Sequence, residues 1–237
     1  SCCGPQVDYT VFSENYESVE GYNPDADLNL GCGIPTDFAG IKEGDHVLDL
    51  GSGAGNDCFV ARAIVGEKGK VTGLDFTEQM INKARENCQK LKFENVEFVL
   101  GDIEDMPFED NSFDVVISNC VLNLVPDKKK AFREIFRVLK PAGRFCVSDV
   151  VIKGDLPEKM KKDAEMYAGC VSGASEMNDY LKIVEETGFM NMNIHKQKEI
   201  KLPESLLSEY NNPEESDPSK TGQTGIFSIT VSATKPQ

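Results

Sequence analysis

One stretch leaves this chain little freedom of fold. His46-Val47-Leu48-Asp49-Leu50 is a short apolar run that ends in a glycine loop, Gly51-Ser52-Gly53-Ala54-Gly55. A run of this length closed by glycines reads as a buried strand entering a tight turn. Helical spacing follows from Asn56 to Val65, and Lys70–Asp75 is a second strand. Thr77 stands at an N-cap position with Glu78 in the first turn, opening a helix to about Leu91 whose apolar stripe begins at Met80, Ile81 and Ala84. Val96–Leu100 and Phe113–Asn119 read as strands three and four. Lys128–Leu139 is a helix with Phe132, Ile135, Phe136 and Leu139 on one face; Pro141 ends it, and Arg144–Val150 is strand five. Strand and helix alternate from residue 46 to residue 150, which predicts an α/β fold: a doubly wound, Rossmann-like parallel sheet with helices on both faces.

The flanks are looser. Residues 1–40 are polar and punctuated by Gly4-Pro5, Asn23-Pro24 and Gly33-Ile34-Pro35, with one short helix expected around Phe12–Val19. After Val150, helices are expected over Leu156–Ala168 and Glu176–Thr187, the second with Ser175 as N-cap and Gly188 as its stop. Asn191–Gln197 and Ile226–Ala233 read as strands that extend the sheet, and Pro203–Gly225 as a loop. The expected division is an N-terminal segment (1–40) lying over the ligand, a binding core (41–150) and a smaller C-terminal part (151–237).

Composition excludes some functions. The 237 residues carry a net charge of −15, which disfavours nucleic acid and anionic membranes because phosphate contacts need clustered Lys and Arg. No apolar run is long enough for a transmembrane helix. No signal peptide is visible, so a cytoplasmic setting with reduced thiols is expected, and no apolar edge demands a second copy, so a monomer is expected.

The glycine loop and Asp75 form the strongest constellation. Ligands of a doubly wound sheet bind outside the carboxyl ends of the strands, where an acid ending strand two meets ribose hydroxyls. The loop spacing is G-x-G-x-G rather than the G-x-G-x-x-G of dinucleotide folds. Asp49 and Asp57 flank it, and the first basic residue after it is Arg62. A pyrophosphate would meet two carboxylates there. A cationic ligand without phosphate fits better, and S-adenosylmethionine, with its sulfonium, ammonium and ribose, is one.

On these residues the chain resembles the class I S-adenosylmethionine-dependent methyltransferases. Val47-Leu48-Asp49-Leu50-Gly51-Ser52-Gly53-Ala54-Gly55 is similar to their first motif. Gly101-Asp102-Ile103-Glu104-Asp105-Met106-Pro107-Phe108 resembles their adenine segment. Phe113-Asp114-Val115-Val116 and Val138-Leu139-Lys140-Pro141-Ala142-Gly143, followed here by Arg144, resemble the later ones. The resemblance implies a cofactor site of Asp49, Gly51, Ser52, Gly53, Gly55, Asp75, Phe76, Asp102, Ile103 and Asn119. In it Asp75 holds the ribose, Phe76 packs on the adenine, and Asp102 with Ile103 meets its amino edge.

Eight cysteines are too few for a disulfide scaffold, yet enough for some to be chemical. Cys120 follows Asn119 at the end of strand four, at the sheet edge where the transferable methyl points. Cys32 lies in Gly31-Cys32-Gly33, and Cys170 in Gly169-Cys170-Val171-Ser172-Gly173-Ala174. Three thiols from three segments suit a soft three-coordinate centre, and the lack of any C-x-x-C pair argues against structural zinc. Cys58, Cys88 and Cys146 lie within apolar patterns and are expected to pack. His46 and His195 are expected to be structural.

At Leu30-Gly31-Cys32-Gly33, Ile117-Ser118-Asn119-Cys120-Val121-Leu122-Asn123-Leu124-Val125-Pro126-Asp127-Lys128 and Gly169–Ala174, the resemblance narrows to the arsenite methyltransferases. It implies that Cys32, Cys120 and Cys170 bind trivalent arsenic as thiolates, leaving its lone pair free to attack the sulfonium methyl. It also implies that Cys2 and Cys3 form a thiol relay, reset by a thiol reductant such as thioredoxin or glutathione. Two other readings stand beside this one. One is a methyltransferase for another small molecule, quinone- or sterol-like; the other is a thiol-rich metalloid-binding protein without turnover, which would have no use for a methyl donor.

Overall fold

The computed structural model describes residues 14–154, 173–200 and 225–237. Strand β1 (His46–Leu50), helix α1 (Asn56–Val65), β2 (Lys70–Asp75), α2 (Glu78–Leu91), β3 (Val96–Leu100), β4 (Phe113–Asn119) and α3 (Lys128–Val138) follow in order. They are succeeded by β5 (Leu139–Lys153), α4 (Met177–Thr187), β6 (Met190–Glu199) and β7 (Gly225–Thr234). Among the described residues, seven strands form one sheet in the order β3-β2-β1-β4-β5-β7-β6. The first five are parallel; β7 runs antiparallel to β5, and β6 antiparallel to β7.

Side-chain alternation along the strands divides the core into two layers. Val47, Val71, Val115, Ile117 and Cys146 pack with Cys58, Phe59, Ile81 and Ala84 of α1 and α2. Leu48, Leu50, Val116 and Val147 face the other way, onto Phe132 and Ile135 of α3 and Tyr180 and Val184 of α4. The sheet is thus covered on both faces by the helices that the chain's alternation implies.

Several boundaries differ from expectation. Over residues 14–19 the chain forms turns rather than helix. There Asn15 Oδ1 accepts the Glu17 N–H at 2.8 Å, which competes with a helical turn. Thr77 occupies the N-cap of α2, but its side chain makes no capping bond; its N–H instead donates to Asp75 Oδ1 at 2.8 Å. The cap of α4 is Glu176, whose side chain accepts from the Asn178 and Asp179 N–H groups; the carbonyl of Ser175 is taken by the Ile152 N–H at 2.9 Å. Strand β5 begins at Leu139, before Pro141, because the pairing with β4 shifts register between Phe113 and Val115 and accommodates the proline. Leu156–Ala168, Cys2, Cys3, Cys170 and residues 203–224 of the expected loop lie outside the described residues.

Candidate functional site

Strand order reverses between β1 and β4, since β2 and β3 extend to one side and β5 to the other. That reversal opens a crevice beyond the strands' carboxyl ends. An open cleft lies there, lined by Tyr16, residues of the segment from Ala26 to Gly31, Asp49, Gly51 to Ala54 of the glycine loop, Asn56, Asp57 and Asn119. The loop's first glycine is required by geometry: Gly51 has φ +68, and a Cβ on it would lie 2.6 Å from Val121 Cγ2. Asp75 locks the loop to β2, its Oδ2 accepting the Gly53 N–H at 3.0 Å.

The cleft is built to receive a cation. Asp49, 2% exposed, accepts the Cys58 S–H at 3.2 Å from α1. Burial holds its carboxyl well above the usual range, reinforced by the charges of Asp57 and Asp75. Burial also pushes Asp57 up to about 6, against the hydrogen bonds it accepts from Tyr16 and Asn119. Carboxyls that ionise reluctantly become more acidic beside a positive ligand. Among the described residues, no Lys or Arg lines the cleft, and Ser52 Oγ is buried there without a hydrogen-bond partner. These features fit a phosphate-free cationic methyl donor. Asp49, Gly51, Ser52, Gly53 and Asn119 border the cleft directly, while Gly55 caps α1 beneath it. Phe76 is 76% exposed at the end of β2; Asp102 is exposed and Ile103 buried just beyond β3. These three residues stand outside the cleft's lining, along the strand ends where the family resemblance places the adenine.

Two of the three expected cysteines sit on segments that meet at Asn119, which borders the cleft. Cys120 adopts a left-handed conformation (φ +58) directly after β4, its N–H donating to the Ser148 carbonyl at 2.8 Å. Cys32, 2% exposed, donates its N–H to Asn119 Oδ1 at 3.0 Å, and its carbonyl accepts Ser228 Oγ–H from β7 at 2.5 Å. Gly33 passes so close to β5 that a Cβ would meet Ser148 Oγ at 2.3 Å. The fully buried Tyr180 hydroxyl donates to Asp149 Oδ2 at 3.1 Å. Burial, reinforced by Asp149, pushes that phenol well up. Lys128 Nζ donates to the carbonyls of Asn123 (2.9 Å), Val125 (3.3 Å) and Gly173 (3.1 Å). The chain three residues beyond Cys170 is therefore tied to the loop that follows Cys120. Among the described residues no three His, Cys, Asp or Glu side chains are grouped to hold a metal ion.

The remaining cysteines pack as expected: Cys58, Cys88 and Cys146 are buried in the core layer of α1 and α2. His46 opens β1 at the opposite edge, 3.1 Å from Thr72 Oγ1, and His195 lies on β6 against Ser232 Oγ at 2.7 Å. Ser228, Asp149 and Tyr180 carried no signal of their own in the sequence, and Lys128 stood as the last residue of the segment that follows Cys120.

Sheet order, the acid-flanked glycine loop and the cleft at the strand reversal define a class I S-adenosylmethionine-dependent methyltransferase fold. Residues 41–188 match the methyltransferase-domain family, and the chain belongs to that family. It is 49% identical over 191 residues to an arsenite methyltransferase of Halobacterium salinarum, a match covering 79% of this chain and 49% of the relative. A crystal structure of an arsenic(III) S-adenosylmethionine methyltransferase from Chlamydomonas reinhardtii superimposes with a TM-score of 0.74 at 35% identity. That match covers 90% of this chain and 71% of the other. A ubiquinone/menaquinone C-methyltransferase of Cronobacter sakazakii is 41% identical, but over only 47% of this chain. The chain spans about half the length of the curated arsenite methyltransferases it matches.

Proposed function

We propose that this chain transfers methyl groups from S-adenosylmethionine to trivalent arsenic held by the thiolates of Cys32, Cys120 and Cys170. One observation carries the reading: Cys32 and Cys120, 88 residues apart in sequence, are joined through Asn119 at the end of β4, beside the cleft. The similarity to an arsenite methyltransferase covers 79% of the chain, whereas the quinone-type similarity covers a little under half of it.

When bound, the methyl donor supplies an electrophilic methyl on a sulfonium. The protein's part is placement. The acidic cleft of Asp49 and Asp57 receives the donor's positive charge, and Asp75, Phe76, Asp102 and Ile103 are assigned to its nucleoside end. Thiolates are the ligands of soft arsenic, so each bound thiol releases a proton and binding weakens in acid. No general base acts on arsenic, which carries no proton to remove. Holding arsenic and methyl at near-attack distance contributes on the order of 7–11 kcal/mol. Cys2 and Cys3 are assigned to a thiol relay reset by thioredoxin or glutathione, in a cytoplasmic monomer whose segment 1–40 covers the donor, whose core is 41–150, and whose part 151–237 completes the arsenic site.

The test is arsenic speciation after incubation with arsenite, S-adenosylmethionine and a thiol reductant. Methylated arsenic is expected from the wild type and none from Cys120→Ser, which retains donor binding. An active Cys120→Ser enzyme would remove the three-thiolate reading. Absence of methylated arsenic from the reduced wild type would favour a quinone-type substrate.

A further inference from the structure

Asn119 is where the donor cleft and the thiols meet, and its side chain is fully committed. Its Oδ1 accepts the Cys32 N–H at 3.0 Å. That fixes the amide orientation, because only the oxygen end accepts. Its Nδ2 then faces three oxygens: the Gly33 carbonyl and Tyr16 Oη, both at 2.8 Å, and Asp57 Oδ2 at 3.1 Å. The Tyr16 hydroxyl has one proton and lies 2.7 Å from Asp57 Oδ1 and 2.9 Å from the Gly33 carbonyl. The shorter contact to the carboxylate takes that proton. The Gly33 carbonyl and the Tyr16 oxygen are thereby left to the two amide hydrogens of Asn119. The fit is close: a Cβ on Gly31 would lie 2.6 Å from Asn119 Nδ2. One carboxamide therefore grips both flanks of Cys32, from the residue next to Cys120, while its other neighbours line the cleft.

We propose that Asn119 is a positioning residue whose carboxamide latches the Cys32 segment onto the end of β4, so that Cys32 and Cys120 are presented to arsenic as a preformed pair. This rests on the thiol-site reading above. The latch requires one acceptor and two donors on a planar fork, which asparagine supplies and aspartate does not. Asn119→Asp is nearly isosteric, yet it sets an oxygen against the Gly33 carbonyl, Tyr16 Oη and the Asp57 carboxylate.

The experiment compares the full chain with Asn119→Asp, Asn119→Ala and Tyr16→Phe, using sodium arsenite as the probe. Arsenite affinity is read from thiolate–arsenic absorbance. In parallel, without arsenite, the alkylation rates of individual cysteines are read by peptide mass spectrometry. Both Asn119 variants are expected to weaken arsenite about tenfold or more, as loss of a buried partner does. Cys32 is expected to alkylate faster relative to Cys58 and Cys146, which report general loosening. Tyr16→Phe, which leaves both bonds to the Cys32 segment, is expected to stay within about threefold of wild type. Asn119 variants that bind arsenite like wild type, or that expose Cys32 no more than Cys146, would overturn the latch. A wild type that fails to bind arsenite overturns the function reading instead, while the alkylation ratio still decides the latch.

Discussion

Cys120 pays for its position in backbone strain. A left-handed conformation at a residue other than glycine costs on the order of 1–3 kcal/mol and persists only where the surroundings impose it. Here the Cys120 N–H is fixed to the Ser148 carbonyl and the preceding side chain to the Cys32 N–H, so the backbone that carries the thiol is held in place. Asp149, behind the thiols, is fully buried and titrates near neutrality, pushed up to about 7 by burial against hydrogen bonds from Tyr180 and the Val150 N–H. A carboxyl whose folded pKa lies above its unfolded value adds its full stability below about pH 4 and loses it as the pH rises to about 7. Asn keeps an acceptor for Tyr180 and does not ionise. Asp149→Asn should therefore gain stability over wild type as pH rises from 4.5 to 8, by up to about 3 kcal/mol on 1.36 kcal/mol per pKa unit. Thermal midpoints of both proteins across that range measure it, and a constant difference would remove the assignment.

The elements of the sheet's parallel half were readable because each is set by nearby residues. Apolar runs closed by Gly51 and Gly73-Leu74-Asp75 specify β1 and β2 to the residue, and the Asn56–Val65 spacing specifies α1. The errors arose where a distant partner decides. Ser175 was the expected cap by residue type, but pairing of its carbonyl with Ile152 passes the cap to Glu176. Glu176→Ala should cost about 1 kcal/mol, read by chemical denaturation. It should also loosen Tyr180, which α4 carries to Asp149. The glycine loop, Asp75 and the thiols were legible as motifs. The clamps on those thiols were not, because Ser228 joins Cys32 across 196 residues and Asn119 joins Tyr16 across 103. No periodicity records a contact of that range.

At the scale of the molecule, charge and topology act together. A net charge of −15 and a cleft of reluctant carboxylates favour a cationic partner on both counts. Saturation with S-adenosylmethionine at a hundredfold excess over its Kd should add about 2.7 kcal/mol of stability. For a chain of this size that is on the order of 5–10 °C in a thermal-shift assay, and no shift would count against every methyltransferase reading. Asp57→Asn removes a carboxylate from the cleft wall and should diminish that shift, with the loss greatest above about pH 6, where Asp57 is ionised.

The antiparallel strand that closes the sheet also sets a timetable. The hydroxyl that holds the Cys32 carbonyl arrives with Ser228, 196 residues after Cys32 itself. At ribosomal speeds of roughly 5–20 residues per second that interval is about 10–40 s. Throughout it the first thiol is on the growing chain while half its clamp does not exist. The clamp on the Cys32 carbonyl closes only when β7 threads between β5 and β6.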